Sequence, residues 1–242
     1  MSINIGVFGS SSSKTPDLFK EACQELGEII AHRGHVCVNG GGKFGCMGAV
    51  NKGVIGKNGK SVGVIHKMWI VDVDEKQEGM SSMLVADGPN LVERKRLLFE
   101  NSECYIIMPG GPGTYDEMWE VISDFQLGFS KKPVCIVNVG GYYDGTLQQL
   151  RRAEQDSILH KPADSIVKFC STVAEAVEYC EAKVGERRAS GGTNDPASVI
   201  RQRSASPDST RLYRDGLGTG IALGIAVSML LMKALGGGRG RM

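Results

Sequence analysis

The sequence predicts a single α/β domain built on a doubly wound parallel sheet, and three observations carry that reading. Short apolar runs alternate along the chain with longer segments whose apolar residues recur at helical spacing. Glycine is in excess, 33 of 242 residues, and many glycines stand where an apolar run hands over to a helical segment, the place where close backbone approach and positive φ are needed. The hydrophobic fraction of 41% and charged fraction of 23% are those of a folded soluble protein. The length allows one ordinary α/β domain with residues left over.

Residues 3–8 read as a short buried strand ending in Gly9 and the serines 10–13. Pro16 and Asp17 open a helix with Leu18, Ala22, Leu26, Ile29 and Ile30 at 3.6-residue spacing, and Gly34 stops it. Residues 36–38 form the next strand. Strand, glycine/serine turn, helix and strand open a Rossmann-like nucleotide-binding fold. The turn lacks G-x-G-x-x-G, and no acidic residue follows the second strand to hold a ribose, so a dinucleotide is disfavoured. Ser10 to Ser13 serve equally well as substrate contacts or as a polar turn capping the helix. Gly40, Gly41 and Gly42 then stand together between a strand and a helix, which favours close approach of ligand or backbone.

A third strand, 61–65, follows a turn at 56–60. Residues 66–88 are irregular, hold Asp72, Asp74, Glu75, Glu78 and Asp87, and read as a long loop or lid over the strand ends. Pro89 starts a helix with Leu91, Leu98 and Phe99 on its apolar face. Its charge run Glu93-Arg94-Lys95-Arg96, taken alone, is a solvated face. The apolar run 104–108 leads into Pro109-Gly110-Gly111-Pro112-Gly113-Thr114-Tyr115-Asp116-Glu117, and a helix bearing Met118, Val121, Ile122 and Phe125 leads out to a C-cap at Gly128. Strand, glycine loop, helix directs backbone N–H groups and the positive end of a helix dipole at one anion. Thr114-x-x-Glu117 also fits a capping box, in which the glutamate only binds backbone. A strand at 132–138, a turn at 138–144, a helix bearing Leu147 and Leu150, a strand at about 166–169 and a helix from 172 to about 183 complete a domain spanning 1–184.

Residues 185–215 are rich in Ser, Arg, Gly and Pro and predict a disordered linker. From 216 to 232 there is no charge. Extended to Leu235 past Lys233, a helix of this stretch is just long enough to cross a bilayer core of about 30 Å. Gly216, Gly220, Gly224 and Ser228 give it a small-residue stripe. The expectation is a C-terminal hydrophobic helix acting as a membrane tail anchor at 216–235, followed by a short basic end at 236–242.

The net charge of +1 hides an asymmetry: residues 185–242 hold nine Lys/Arg and four Asp/Glu, and 1–184 hold 19 basic and 23 acidic residues. A domain of that balance has no electrostatic footprint for nucleic acid. Seven cysteines are scattered with no C-x-x-C pair, which disfavours a disulfide framework and favours a reducing compartment. The four histidines show no ligand spacing with cysteines, so no zinc site is predicted.

Four separated motifs resemble those of the LOG family, the cytokinin riboside 5′-monophosphate phosphoribohydrolases, also described as lysine decarboxylase-like. Residues 109–117 resemble the signature PGGxGTxxE. Residues 40–48 resemble GGGxxGLMG with Cys46 in place of leucine, 91–95 resemble MxxRK with Leu91 in place of methionine, and 138–143 match NVxGYY. The resemblance covers residues 3–183. It implies hydrolysis of the N-glycosidic bond of an adenine-type, N6-substituted nucleoside 5′-monophosphate to free base and ribose 5-phosphate, with no cofactor. Arg94 and Glu117, 23 residues apart as in the family, are then the catalytic pair. Gly110, Gly111, Pro112, Gly113, Thr114, Tyr115 and Asp116, with Lys95, Gly41, Gly42, Ser10 and Ser11, are the substrate-binding set, and Ser123 stands where the family has a substrate-contacting threonine. A homodimer follows by analogy. The domain is expected to face the cytosol from an intracellular membrane, such as the mitochondrial outer membrane or the endoplasmic reticulum. Two other readings compete. One is a non-catalytic, membrane-tethered nucleotide sensor or carrier of the same fold. The other is a pyridoxal-phosphate decarboxylase, suggested by His66-Lys67 but lacking the serine that accompanies them.

Overall fold

Seven parallel strands make one sheet in the computed structural model, which describes residues 1–71 and 77–191. In chain order the elements are β1 (Asn4–Phe8), α1 (Asp17–His32), β2 (Val36–Asn39), α2 (Gly45–Gly56), β3 (Lys60–His66), α3 (Lys67–Val71), β4 (Ser82–Ala86), α4 (Val92–Glu100), β5 (Cys104–Ile107), α5 (Pro112–Leu127), β6 (Val134–Val137), a 3₁₀ turn (Val139–Gly141), α6 (Asp144–Gln155), α7 (Ala163–Ile166), β7 (Lys168–Cys170) and α8 (Val173–Ala189). The sheet order is β4-β3-β2-β1-β5-β6-β7. The chain therefore builds outward from β1 to β4, then returns through α4 to lay β5 on the other side of β1. That reversal is the topological switch point, where α/β sheets bind ligands beyond the carboxyl ends of the strands.

Alternation along the central strands explains why short apolar runs form them. Cys104, Ile106 and Met108 face one buried layer, with α1, α2 and α8, while Tyr105 and Ile107 face the other, with Leu98 of α4 and Met118, Val121 and Ile122 of α5. Strands covered on both faces need apolar residues at every position. All seven cysteines are buried and free, and they pack as small hydrophobes. Among the described residues no group of His, Cys, Asp and Glu is arranged to hold a metal.

Two expectations change. Residues 66–88 are not simply a lid, because they include α3 and β4, and β4 pairs in parallel with β3 from Val62↔Ser82 to His66↔Ala86. An edge strand is covered less fully, and Val85 is 48% exposed, so the apolar run 83–86 of β4 is only partly buried. Asp72, Asp74 and Glu75 lie outside the described residues. At the other end, α8 runs to Ala189, five residues beyond the expected boundary at 184. Tertiary contacts hold it there: Arg187 donates to the Glu103 carbonyl (3.1 Å) and Arg188 pairs with the Glu103 carboxylate (2.6 Å). The rest of the expected linker, the tail anchor and the basic end lie outside the described residues. Among the described ones, no helix is long and apolar enough to cross a membrane.

Candidate active site

The turn after β1 and the start of α5 meet at the switch point. The Ser10 amide donates to the Pro109 carbonyl (3.0 Å). Above them opens a cavity of about 360 Å³, lined by Gly9 to Ser12, Gly40, Gly42, Arg94, Lys95, the first turn of α5 with Asp116 and Glu117, and an apolar wall of Met47, Ile65, Trp69 and Leu91.

One side of this cavity is built to hold an anion. Gly111 is the N-cap of α5, in extended conformation, and Pro112 is the first helical residue. The first turn of any helix leaves its amides without intrahelical partners, and Pro112 has none to lose. The amides left over are those of Gly111, Gly113 and Thr114, at the positive end of the helix dipole. Two tyrosines of the 138–143 turn set the loop's orientation from behind. The Tyr142 hydroxyl donates to the Gly110 carbonyl (2.7 Å) and the Tyr143 hydroxyl to the Met108 carbonyl (2.9 Å). Gly110 does not line the cavity. A β-carbon there would collide with the Thr114 hydroxyl and lie 2.9 Å from the Ser10 amide, so its role is to let the two loops touch. Opposite, the Ser10 hydroxyl bonds Thr15 (2.6 Å) and accepts from the Ser12 amide (3.2 Å), which holds the serine turn in shape.

The cap at Gly111 also excludes the capping-box reading of Glu117. Thr114 is the third residue of the helix, not its cap, and Glu117 lies almost a full turn further in, too deep to reach the cap backbone. Its carboxylate instead accepts from Arg94 Nη1 at 3.0 Å. Arg94 and Glu117 are 7% and 8% exposed, so the run 93–96 is not uniformly solvated. Arg96 pairs with Glu100 on the surface, while Arg94 turns inward, donates from Nε to the Val64 carbonyl (3.0 Å) and lies 5.1 Å from the Trp69 ring centroid. Burial raises the Glu117 pKa above the ordinary glutamate value, and the Arg94 charge works against that rise without cancelling it. Lys95 stands at the rim, paired with Asp116 (3.1 Å) and Glu120 (2.5 Å).

The raised pKa carries a prediction. A step that needs ionised Glu117 loses rate as pH falls through its pKa, so the acid limb of kcat/KM should lie above the value near 4.3 of an unperturbed glutamate. A pH–rate profile checks this; a profile flat down to about pH 4 contradicts it.

The triple glycine makes room for side chains more than for a ligand or backbone. A β-carbon on Gly40 would run into Arg94 Nη2 and come within 2.7 Å of the Met47 sulfur. Gly41 has φ +73° and packs on Met83, with its amide donating to the buried Asn39 side chain (2.8 Å), so it shapes the turn and does not line the cavity. Gly42 does line it. Tyr115 also points elsewhere, its hydroxyl bonded to that of Tyr142 (3.0 Å). Ser123 is exposed and lies with Trp119 and Glu120 along a shallow groove on α5 that meets the cavity at Pro112 and Asp116, because six residues beyond Glu117 the helix has turned its other side outward. Lys67 pairs with Asp87 at the surface (2.9 Å), off the cavity, which gives the decarboxylase reading no support.

Ser12 and Gly40, from the serine and glycine stretches read as contacts for a ligand, line the cavity, and so do Gly9, Met47, Ile65, Trp69 and Leu91, which were not named as site residues. Ile65 and Trp69 sit at and just after the end of β3, at the carboxyl ends of the strands; Met47 and Leu91 fall within the motifs at 40–48 and 91–95, but their apolar side chains gave no sign of facing a cavity.

The family described as "possible lysine decarboxylase" matches residues 47–180. A cytokinin riboside 5′-monophosphate phosphoribohydrolase of Arabidopsis thaliana is 33% identical over 176 residues, 73% of this chain and 76% of the relative. A probable enzyme of the same name from Oryza sativa subsp. japonica is 33% identical over 178 residues, 74% of this chain and 70% of the relative. Among solved structures, a molybdenum cofactor binding protein from Rippkaea orientalis (20% identity, TM-score 0.58, 75% of this chain and 97% of that one) shares the fold. So does the molybdenum cofactor carrier protein from Chlamydomonas reinhardtii (22%, TM-score 0.56, 76% and 99%). With the family match spanning more than half the sequence and relatives a third identical across three quarters of it, the chain belongs to the LOG family.

Proposed function

We propose that this chain hydrolyses the N-glycosidic bond of an adenine-type nucleoside 5′-monophosphate, releasing the base and ribose 5-phosphate. The observation that carries this reading is the buried Arg94–Glu117 pair in the same cavity as the anion cradle of α5. The amides of Gly111, Gly113 and Thr114 hold the 5′-phosphate and fix the ribose beside Glu117. As the bond to the base stretches, positive charge builds on C1′ and the ring oxygen, and the carboxylate stabilises it. Glu117 also orients the attacking water and takes its proton as the water oxygen bonds C1′, while the base leaves with the electron pair of the broken bond and takes up a proton from Glu117 or solvent, so that one water is consumed and the carboxylate is restored. Arg94 is permanently protonated and cannot act as the base; it positions the carboxylate and balances its charge. The relatives named for cytokinin nucleotides support an N6-substituted adenine as the base.

The phosphate requirement tests this reading. AMP should be turned over at least about 10²-fold faster than adenosine at equal concentration, because without the phosphate the binding energy of the cradle cannot align the ribose. Equal rates would mean that the start of α5 serves something else. The competing reading, a carrier or sensor that binds without turnover, predicts saturable AMP binding and no base release.

We also propose the homodimer of the family resemblance, tested by light scattering, and the tail anchor at 216–235. Full-length protein should sediment with membranes and resist carbonate extraction; recovery in the supernatant without detergent would remove the anchor.

A further inference from the structure

We propose that Trp69 is the base-recognition residue of the cavity, taking the planar face of a purine by stacking on its indole. The inference rests on the functional reading above and assigns the part of the site that the family motifs leave blank. β3 ends at His66 and α3 begins at Lys67 with no linker, so Trp69 is carried back over the strand ends, where it lines the cavity. Its place is fixed from two sides. His66 receives the Met68 amide at Nδ1 (3.3 Å), so the proton sits on Nε2, which donates to the Gly88 carbonyl (2.8 Å). With both nitrogens engaged, the imidazole meets Trp69 edge-on at 6.1 Å. Over one face of the indole lies the Arg94 guanidinium, itself held by the Val64 carbonyl and Glu117, 5.1 Å from the ring centroid, so the face left for a base is the opposite one.

The surroundings match a base, not a second anion. Ile65, Met47 and Leu91 supply the rest of this wall and carry no charge. β3 lies two strands from β1 in the sheet, so the wall at its end stands about 10 Å from the serine turn at the end of β1. A base joined to its phosphate through a ribose spans such a gap. The ribose then lies by Arg94 and Glu117, and the base takes the face of Trp69 that the guanidinium does not cover. A purine covers more of the indole than a pyrimidine does, so the platform favours purine monophosphates.

The chain has two tryptophans, Trp69 and Trp119, and Trp119 lies in the adjoining groove of α5, not in the cavity lining. Full-length Trp119→Phe therefore reports Trp69 alone, and adding Glu117→Gln keeps AMP intact during titration. AMP should quench Trp69 emission, while ribose 5-phosphate, binding in the same cradle, should not. Trp69→Ala should weaken AMP binding by about 10- to 100-fold in calorimetry and leave the affinity for ribose 5-phosphate unchanged, and Trp69→Phe should keep most of the AMP affinity. A merely structural role for Trp69 would weaken both ligands alike. If AMP binds without changing Trp69 emission, or binds equally well to the Trp69→Ala variant, the base lies elsewhere and the assignment is wrong while the functional reading stands. Should Trp69→Ala fail to fold, the emission titration and the Trp69→Phe affinity decide the matter. If neither AMP nor ribose 5-phosphate binds, the functional reading falls and this inference with it.

Discussion

Glu117→Gln is expected to lower kcat by about 10²-fold or more, some 3 kcal/mol of transition-state stabilisation, while the melting temperature shifts by a few degrees at most. Glutamine keeps the size and helix propensity of glutamate, and its amide oxygen can still accept from Arg94. Burial already opposes the ionised carboxylate, so removing that charge relieves one cost as it weakens the ion pair. What glutamine cannot do is face a ribose carrying positive charge or take a proton from water. Steady-state kinetics with thermal melting checks this, and AMP affinity should persist because the cradle is untouched. A Glu117→Gln enzyme with normal kcat would make the buried pair a structural feature.

Gly40→Ala should be nearly as damaging, although a single methyl group is all that is added. Its β-carbon would enter the space of Arg94 Nη2. Met47, the other neighbour, is flexible and can swing aside. Arg94 cannot move without loosening its bonds to the Val64 carbonyl and Glu117. A displacement of about 1 Å in a positioning group costs on the order of 10²-fold in rate, and that is the expected loss in kcat/KM. Gly56→Ala is the control. It lies in the last turn of α2 with nothing within 4 Å of its added carbon, so activity should stay at the wild-type level and stability should hold or rise slightly. Wild-type kcat/KM in Gly40→Ala would show that Arg94 is not held where catalysis needs it.

How much of this was legible in the sequence depended on whether the causes were local. The central strands were readable because a strand covered on both faces needs a continuous apolar run. β4 was not, its apolar run 83–86 lying at the sheet edge, half in solvent, within a charged and irregular stretch. The end of α8 was hidden because Arg187 and Arg188 look like linker residues until Glu103, remote in sequence, meets them. The anion cradle could be read, since glycine spacing before a helix is a local signal. The capping-box reading of Glu117 could not be dismissed locally: cap and proposed catalyst share one tetrapeptide, and the cap at Gly111, with Pro112 next to it, removes only the first. The opposite wall was invisible for another reason. Met47, Ile65, Trp69 and Leu91 come from separate parts of the chain and look like core residues one at a time. Ser123 illustrates the converse, a residue named by resemblance that the helix turns away from the cavity.

The most direct measurement is the identity of the products when AMP and its N6-substituted analogues are incubated with purified full-length protein, resolved by chromatography and proton NMR of the C1′ position. The account predicts free base and ribose 5-phosphate in equal amounts, formed at a rate that falls at least about 10²-fold in Glu117→Gln. Nucleoside and inorganic phosphate, or nucleotide that binds and is returned unchanged, would contradict it.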